Sequence, residues 1–298
     1  MIKSFADLMK EAKARGPKKV AVAVAQDEVV LEALDIALKE KIATPLLFGD
    51  RKAIEDAAAK AKVVVAKWEI TDISDMAEAS RAAVAAVSAG NADFLMKGLV
   101  STATFLKAVL DKETGLRTGR LLSHVAVMEM PGYHKIFFLT DAGMCVKPDL
   151  TAKVDIVNNA VDVAHKMGIE LPKVAVLAAL ETINPEMPET IDAAELSKMA
   201  DRGQIKGCIV DGPLALDLAV SEEAARHKKV KSAVAGDADI FILPEIAAGN
   251  ILAKGLLYMA GAKAAGLIAG AARPVVMLSR SDSREQKLNS IALGVVSG

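Results

Sequence analysis

Val20-Ala21-Val22-Ala23-Val24, a short apolar run, is followed by Leu31, Leu34 and Leu38 at helical spacing and then by Leu46-Leu47-Phe48. That succession sets the fold class. A short apolar run suits a buried strand, and the three-to-four-residue spacing suits a helix with one apolar face. The pattern repeats: another helix is predicted from about Arg51, and Ala92-Asp93-Phe94-Leu95-Met96 precedes a third. Farther on, Val174-Ala175-Val176-Leu177, Cys208-Ile209-Val210, Ile240-Phe241-Ile242-Leu243 and Val275-Val276-Met277-Leu278 continue it. The alternation predicts parallel β-α-β units, hence an α/β chain whose sheet is covered by helices on both faces. Only the middle changes character. Val125-Ala126-Val127-Met128 and Ile136-Phe137-Phe138-Leu139 flank Pro131-Gly132-Tyr133, which predicts a hairpin and a local antiparallel element.

With 298 residues and 52% hydrophobic content, the chain can build one large domain or two ordinary ones. Lys and Arg (37) balance Asp and Glu (38), and aromatics are only 3%, so there is neither a basic field nor a set of stacking platforms for nucleic acid. The two cysteines, Cys145 and Cys208, show no metal-ligand spacing and are too few for a disulfide framework, which fits a reducing cytoplasm. Cys145 has no histidine at an activating local spacing, and a packing role is preferred. His124, His134, His165 and His227 are scattered, so no metal site is expected. The charged start, Met1-Ile2-Lys3-Ser4-Phe5-Ala6-Asp7-Leu8, predicts an amphipathic helix rather than a signal peptide. Apolar stretches such as 266–272 fall well short of the ~20 residues of a membrane span, and a soluble protein is expected.

Three strand-to-helix junctions carry a small or hydroxyl residue beside a cation. They are Lys97-Gly98-Leu99-Val100-Ser101-Thr102, Gly249-Asn250-Ile251-Leu252-Ala253-Lys254 and Ser279-Arg280-Ser281-Asp282-Ser283. A helix N-terminus offers unpaired N–H groups and the positive end of the helix dipole, so such junctions suit oxyanions and point to a phosphorylated substrate. Lys97 ends a strand, where ligands of open α/β sheets bind. Ser101 and Thr102 read also as ordinary helix caps. Asn250 and Lys254, four apart, are expected on one helix face at its N-terminal end, with Gly249 in a tight turn. The run Arg226-His227-Lys228-Lys229-Val230-Lys231 reads first as a solvated face and second as an attractor of anions.

The order of Asp211-Gly212-Pro213-Leu214-Ala215-Leu216-Asp217, Val234-Ala235-Gly236-Asp237-Ala238-Asp239, Gly249-Asn250 with Lys254, and Ser279-Arg280 resembles the phosphate acetyl/butyryltransferases. The ending, with Lys287-Leu288-Asn289-Ser290-Ile291-Ala292-Leu293, is more similar to the butyryltransferase branch. The resemblance covers essentially the whole chain. It implies two α/β domains flanking a cleft, of isocitrate/isopropylmalate dehydrogenase-like architecture, with residues 1–120 plus 266–298 in one and 121–265 in the other. It also implies conversion of a short-chain acyl-CoA and inorganic phosphate to acyl phosphate and CoA in a cytoplasmic homo-oligomer. No metal and no cofactor are implied, coenzyme A being a substrate.

Such a site must hold phosphate against a thioester carbonyl, stabilise the oxyanion and let the thiolate depart. Arg280 suits the phosphate, because its planar fork grips two oxygens and stays charged. Ser279 is placed to donate to the oxyanion or to the leaving sulfur. The acetyltransferase branch carries an aspartate seven residues after the serine, where this chain has Gln286, which cannot take a proton. Ser283-Arg284-Glu285-Gln286 fits a capping box instead, leaving Glu285 and Asp282 as the nearest candidate bases. Lys107 aligns with an arginine of that branch and would offer phosphate a point charge or stand solvated. The rivals are a phosphate acetyltransferase, an NAD-dependent decarboxylating dehydrogenase and a non-catalytic CoA-binding protein. The second would need a metal-binding carboxylate cluster and a Gly-x-Gly-x-x-Gly turn, and neither is present in the sequence.

Overall fold

A computed structural model describes residues 2–277, 279 and 281–298. The chain runs α1 (Phe5–Arg15), β1 (Lys18–Ala23), α2 (Glu28–Lys39), β2 (Ala43–Gly49), α3 (Arg51–Lys60), β3 (Glu69–Asp72), α4 (Met76–Ser88), β4 (Phe94–Lys97) and α5 (Thr102–Val109). Next come β5 (Ser123–Glu129), β6 (Phe137–Thr140), α6 (Leu150–Lys166), β7 (Lys173–Leu177), α7 (Pro188–Asp201), β8 (Ile209–Leu214), α8 (Leu216–Val220), α9 (Glu222–His227), β9 (Ile240–Ile242) and α10 (Ile246–Met259). Last are β10 (Lys263–Ala269), β11 (Val275–Val276) and α11 (Arg284–Ser297). The fold is mixed α/β, in two compact units.

One unit comprises residues 6–120 and 265–298. Its strands lie in the order β3-β2-β1-β4-β11-β10, parallel from β3 to β11. β10 alone runs antiparallel, with Ile268 opposite Val275. Val20, Ala21, Val22 and Ala23 of β1 are fully buried, as are Phe94, Leu95 and Met96 of β4, as expected of parallel strands covered on both faces. Helices α2 to α5 each start on a side-chain cap. Asp27, Asp50, Asp75 and Ser101 each accept a backbone N–H from the first turn of α2, α3, α4 and α5, which satisfies donors a helix start otherwise leaves open.

The other unit comprises residues 1–5 and 121–264, in the order β5-β6-β9-β7-β8. The opening residues therefore group here rather than with the segment that follows them: the Ile2 N–H donates to the Met167 carbonyl and the Ile136 N–H to the Lys3 carbonyl. β5 and β6 form the expected antiparallel hairpin, with Ala126, Val127 and Met128 opposite Leu139, Phe138 and Phe137, and Gly132 takes a positive φ of 95° in the turn. Phe137 meets Tyr133 and Phe241 edge-on in the core beside it. Asp237 gathers His134, Lys135 and Lys173, each at 2.8 Å. Burial works against its charge, but these hydrogen bonds outweigh it and hold the carboxyl well below its usual range. Asp211-Gly212-Pro213, the start of the first ordered motif, lies inside β8. β8 ends the strand order of its unit, where a proline without an N–H is tolerated. The register against β7 shifts there.

Candidate functional site

β4 and β11 are parallel neighbours, with Leu95 opposite Val275 and Met96 opposite Val276. The segments following them therefore leave the sheet at the same edge, beyond the C-terminal ends of the strands, where ligands of open α/β sheets bind. Two of the three anion-ready junctions are thus brought together.

At the first, Lys97 ends β4 with a side chain only 8% exposed, and its Nζ lies 3.3 Å from the Gly98 carbonyl. The Gly98 and Leu99 N–H groups donate to the carbonyls of Ala23 and Val24. A Cβ on Gly98 would stand 2.2 Å from the Val24 carbonyl oxygen, so the close backbone approach requires glycine there. Ser101 caps α5: its Oγ accepts the Thr104 N–H at 3.1 Å and donates to Thr104 Oγ1 at 2.8 Å. Thr102 and Lys107 are exposed on α5.

At the second, Ser279 is exposed and its loop is tied by Asp282, whose Oδ2 accepts the Ser279 N–H at 2.8 Å. Ser279 Oγ lies 3.0 Å from Ser281 Oγ. The capping box forms: Ser283 Oγ accepts the Gln286 N–H, and Gln286 Oε1 accepts the Ser283 N–H at 2.8 Å. Glu285 is exposed in the first turn of α11. Arg280 lies outside the described residues.

The third junction differs from expectation. α10 starts at Ile246 with Glu245 as its N-cap, so Asn250 and Lys254 occupy its interior rather than its N-terminal end, and Gly249 is helical and buried rather than in a turn. A Cβ at Gly249 would come 2.8 Å from the Asp141 carbonyl oxygen and 2.9 Å from Ala142 Cα, so this glycine permits close packing of α10 on that loop. Asn250 Nδ2 donates to the Ala142 carbonyl at 3.2 Å, and Lys254 is exposed. These three residues belong to the unit of 121–264, apart from the β4 and β11 junctions.

Asp141 is buried and accepts the backbone N–H groups of His124, Gly143 and Met144. Burial, reinforced by that carboxylate, pushes the Cys145 thiol up to about 12, so it stays protonated and unreactive near neutrality. The basic run is partly consumed locally, Lys228 reaching Glu181 and Asp217 and Arg226 reaching Glu222. Among the described residues no group of three His, Cys, Asp or Glu side chains could hold a metal ion, and no helix is long and apolar enough to cross a membrane. Lys287, quoted above only within the closing motif, carried no expectation of its own. It is buried in α11, and its Nζ lies 3.3 Å from the Ser279 carbonyl. The available signal was its spacing, because Lys287 shares a helix face with Ile291 and Gly294.

The chain matches the family model described as phosphate acetyl/butaryl transferase over residues 4–81 and 74–295. It belongs to that family. Among its relatives is the phosphate butyryltransferase of Clostridium acetobutylicum, 54% identical over 296 residues, or 99% of this chain and 98% of the relative. The phosphate acetyltransferase of Thermotoga maritima is 50% identical over 291 residues, 97% and 98% of the two chains. The crystal structure of a branched-chain phosphotransacylase from Enterococcus faecalis V583 superposes with a TM-score of 0.83 at 37% identity, covering 94% of this chain and 99% of that one. Gln286, which stands where the resemblance leads one to expect an aspartate, has its side-chain oxygen committed to a cap.

Proposed function

We propose that this protein is a phosphate acyltransferase that converts a short-chain, butyryl-like acyl-CoA and inorganic phosphate to acyl phosphate and CoA. The observation that carries this reading is the near full-length identity to relatives named for that transfer. The shared edge of β4 and β11, with its lysine and hydroxyls, supports it. A phosphate oxygen attacks the thioester carbonyl carbon, the tetrahedral oxyanion collapses, the C–S bond breaks, and the CoA thiolate leaves and takes up a proton. Arg280 grips the phosphate through two hydrogen bonds, and Lys97, Ser101, Thr102 and Lys107 contribute charge and donors around it. Ser279, exposed on its loop, donates to the oxyanion or to the departing sulfur. Glu285 or Asp282 handles the proton. Asp282 already accepts the Ser279 N–H. Lys254 serves the CoA phosphates, while Gly249 and Asn250 position α10.

To the same reading belong two α/β domains flanking a cleft, of isocitrate/isopropylmalate dehydrogenase-like architecture, a reaction without cofactor or metal, and a cytoplasmic setting. A homo-oligomer is supported by α10, which carries Ile251, Gly255, Tyr258 and Met259 at i, i+4, i+7 and i+8, three of them large, apolar and exposed. Transfer from acetyl-CoA is the second reading, favoured by the 50% identity to an acetyltransferase. Butyryl exceeds acetyl by two methylenes, each worth only about 1–3 kcal/mol in a hydrophobic pocket, so pocket shape decides between them. The test is thiol release from acetyl-, propionyl-, butyryl- and longer acyl-CoA, with and without phosphate. Release that depends on phosphate and is fastest with butyryl-CoA is expected. No phosphate-dependent release from any of them would overturn the reading.

A further inference from the structure

Lys287 is the fourth residue of α11 and is only 3% exposed. Burial penalises an ammonium, and lysines are rarely enclosed without a counter-charge. Among the described residues no carboxylate lies within ion-pair distance of Lys287, and its one side-chain hydrogen bond there runs to the Ser279 carbonyl at 3.3 Å. That contact is long and engages one of three protons. Among the described residues the group is therefore a buried cation with unused donors, held at the loop that precedes α11 and beside the exposed Ser279. The loop's nearest carboxylate, Asp282, is turned to the Ser279 N–H.

We infer that Lys287 is an anion-binding residue of the phosphate subsite. Its ammonium, fixed by the Ser279 carbonyl, supplies buried positive charge that inorganic phosphate neutralises on binding. The inference rests on the phosphate acyltransferase reading for the identity of the anion. A doubly charged phosphate provides both the counter-charge and the acceptors that the described residues withhold, and a low-dielectric setting makes that pairing stronger than one at an exposed lysine. The carbonyl contact also links the ammonium to the backbone of Ser279, so phosphate binding and the placement of the serine are coupled.

Lys287→Met fills a similar volume without the charge and tests this by two measurements. The variant is expected to fold with an unchanged or raised Tm, because replacing an unpaired buried charge by an apolar side chain is commonly neutral or stabilising. Its phosphate KM should rise about tenfold or more, while the acyl-CoA KM stays within about threefold, as for the loss of one charge-assisted contact. The rise in Tm that millimolar phosphate confers on the unaltered protein should shrink in parallel. A folded variant with unchanged phosphate KM and an unchanged phosphate-induced shift, or with both KM values raised alike, overturns the assignment. The thermal shift needs no turnover, so the two readings separate. Lys287-dependent stabilisation by phosphate without phosphate-dependent thiol release refutes the acyl transfer and keeps the anion site. Absence of any stabilisation of the unaltered protein refutes the anion site. Should Lys287→Met fail to fold, Lys287→Gln is judged by the same two measurements.

Discussion

Two buried lysines, Lys153 and Lys287, stand at the same place in different helices and meet opposite surroundings. Each is the fourth residue of a long helix, α6 and α11, and each is 3% exposed. Lys153 ends 2.5 Å from Asp192 in α7, so its charge is compensated within the protein. Lys287 finds a backbone carbonyl at 3.3 Å and no carboxylate among the described residues. Equal burial therefore carries different meanings. The first lysine is part of the scaffold that clamps two helices, and the second has no counter-charge among the described residues. The same contrast separates the strand-to-helix junctions. Beyond β11 Ser279 and Ser281 are exposed, whereas around α10 the glycine and asparagine are spent on packing against residues 141 and 142.

The largest effect should come from breaking the satisfied pair. Asp192→Ala leaves the Lys153 ammonium buried and unpaired, and loss of about 3 kcal/mol of stability is expected, read as a fall in the urea midpoint. No loss would mean that Lys153 reaches water, and the contrast with Lys287 would disappear. Next is Arg280→Ala, expected to lower kcat/KM on the order of 10²-fold, comparable with losing one strong oxyanion donor. Arg280→Lys should restore little, since a point charge does not reproduce the fork. Near-normal turnover and phosphate KM in a folded Arg280→Ala protein would leave the β11 junction without its principal cation. The smallest effect is expected of Gln286→Ala, which loses one capping contact: about 1 kcal/mol or less of stability, with kcat within a few fold. A collapse of kcat at intact stability would show that Gln286 acts in the reaction rather than at the helix end.

Several elements were legible because their signals are local. The hairpin at Pro131-Gly132-Tyr133 follows from turn chemistry between two apolar runs, and the capping box at Ser283 and Gln286 from a three-residue spacing. Where a residue answers to a distant neighbour, local reading misleads. Gly249 looks like a turn glycine, yet it sits inside α10, at a place where the backbone at 141 and 142 leaves no room for a Cβ. Gly212 and Pro213 look like a strand end, yet edge pairing with β7 carries the strand through them. β10 gave little signal, since Lys263-Ala264-Ala265-Gly266 is poor in β-branched residues, and its pairing with β11 makes it a strand.

Hydrophobic periodicity, cap spacing and the ordered motifs from Asp211 to Leu293 were enough for the α/β class, the hairpin, the capping box and the family, because each is written over short separations along the chain. Packing was needed to set β4 beside β11 and so bring Lys97 and Ser279 to one sheet edge, to put Gly249 inside a helix, and to give one buried lysine a carboxylate while the other meets none among the described residues. Burial and charge compensation depend on what folds against a residue from far away in sequence, so Lys153 and Lys287 look alike as letters and become different groups only in the folded chain.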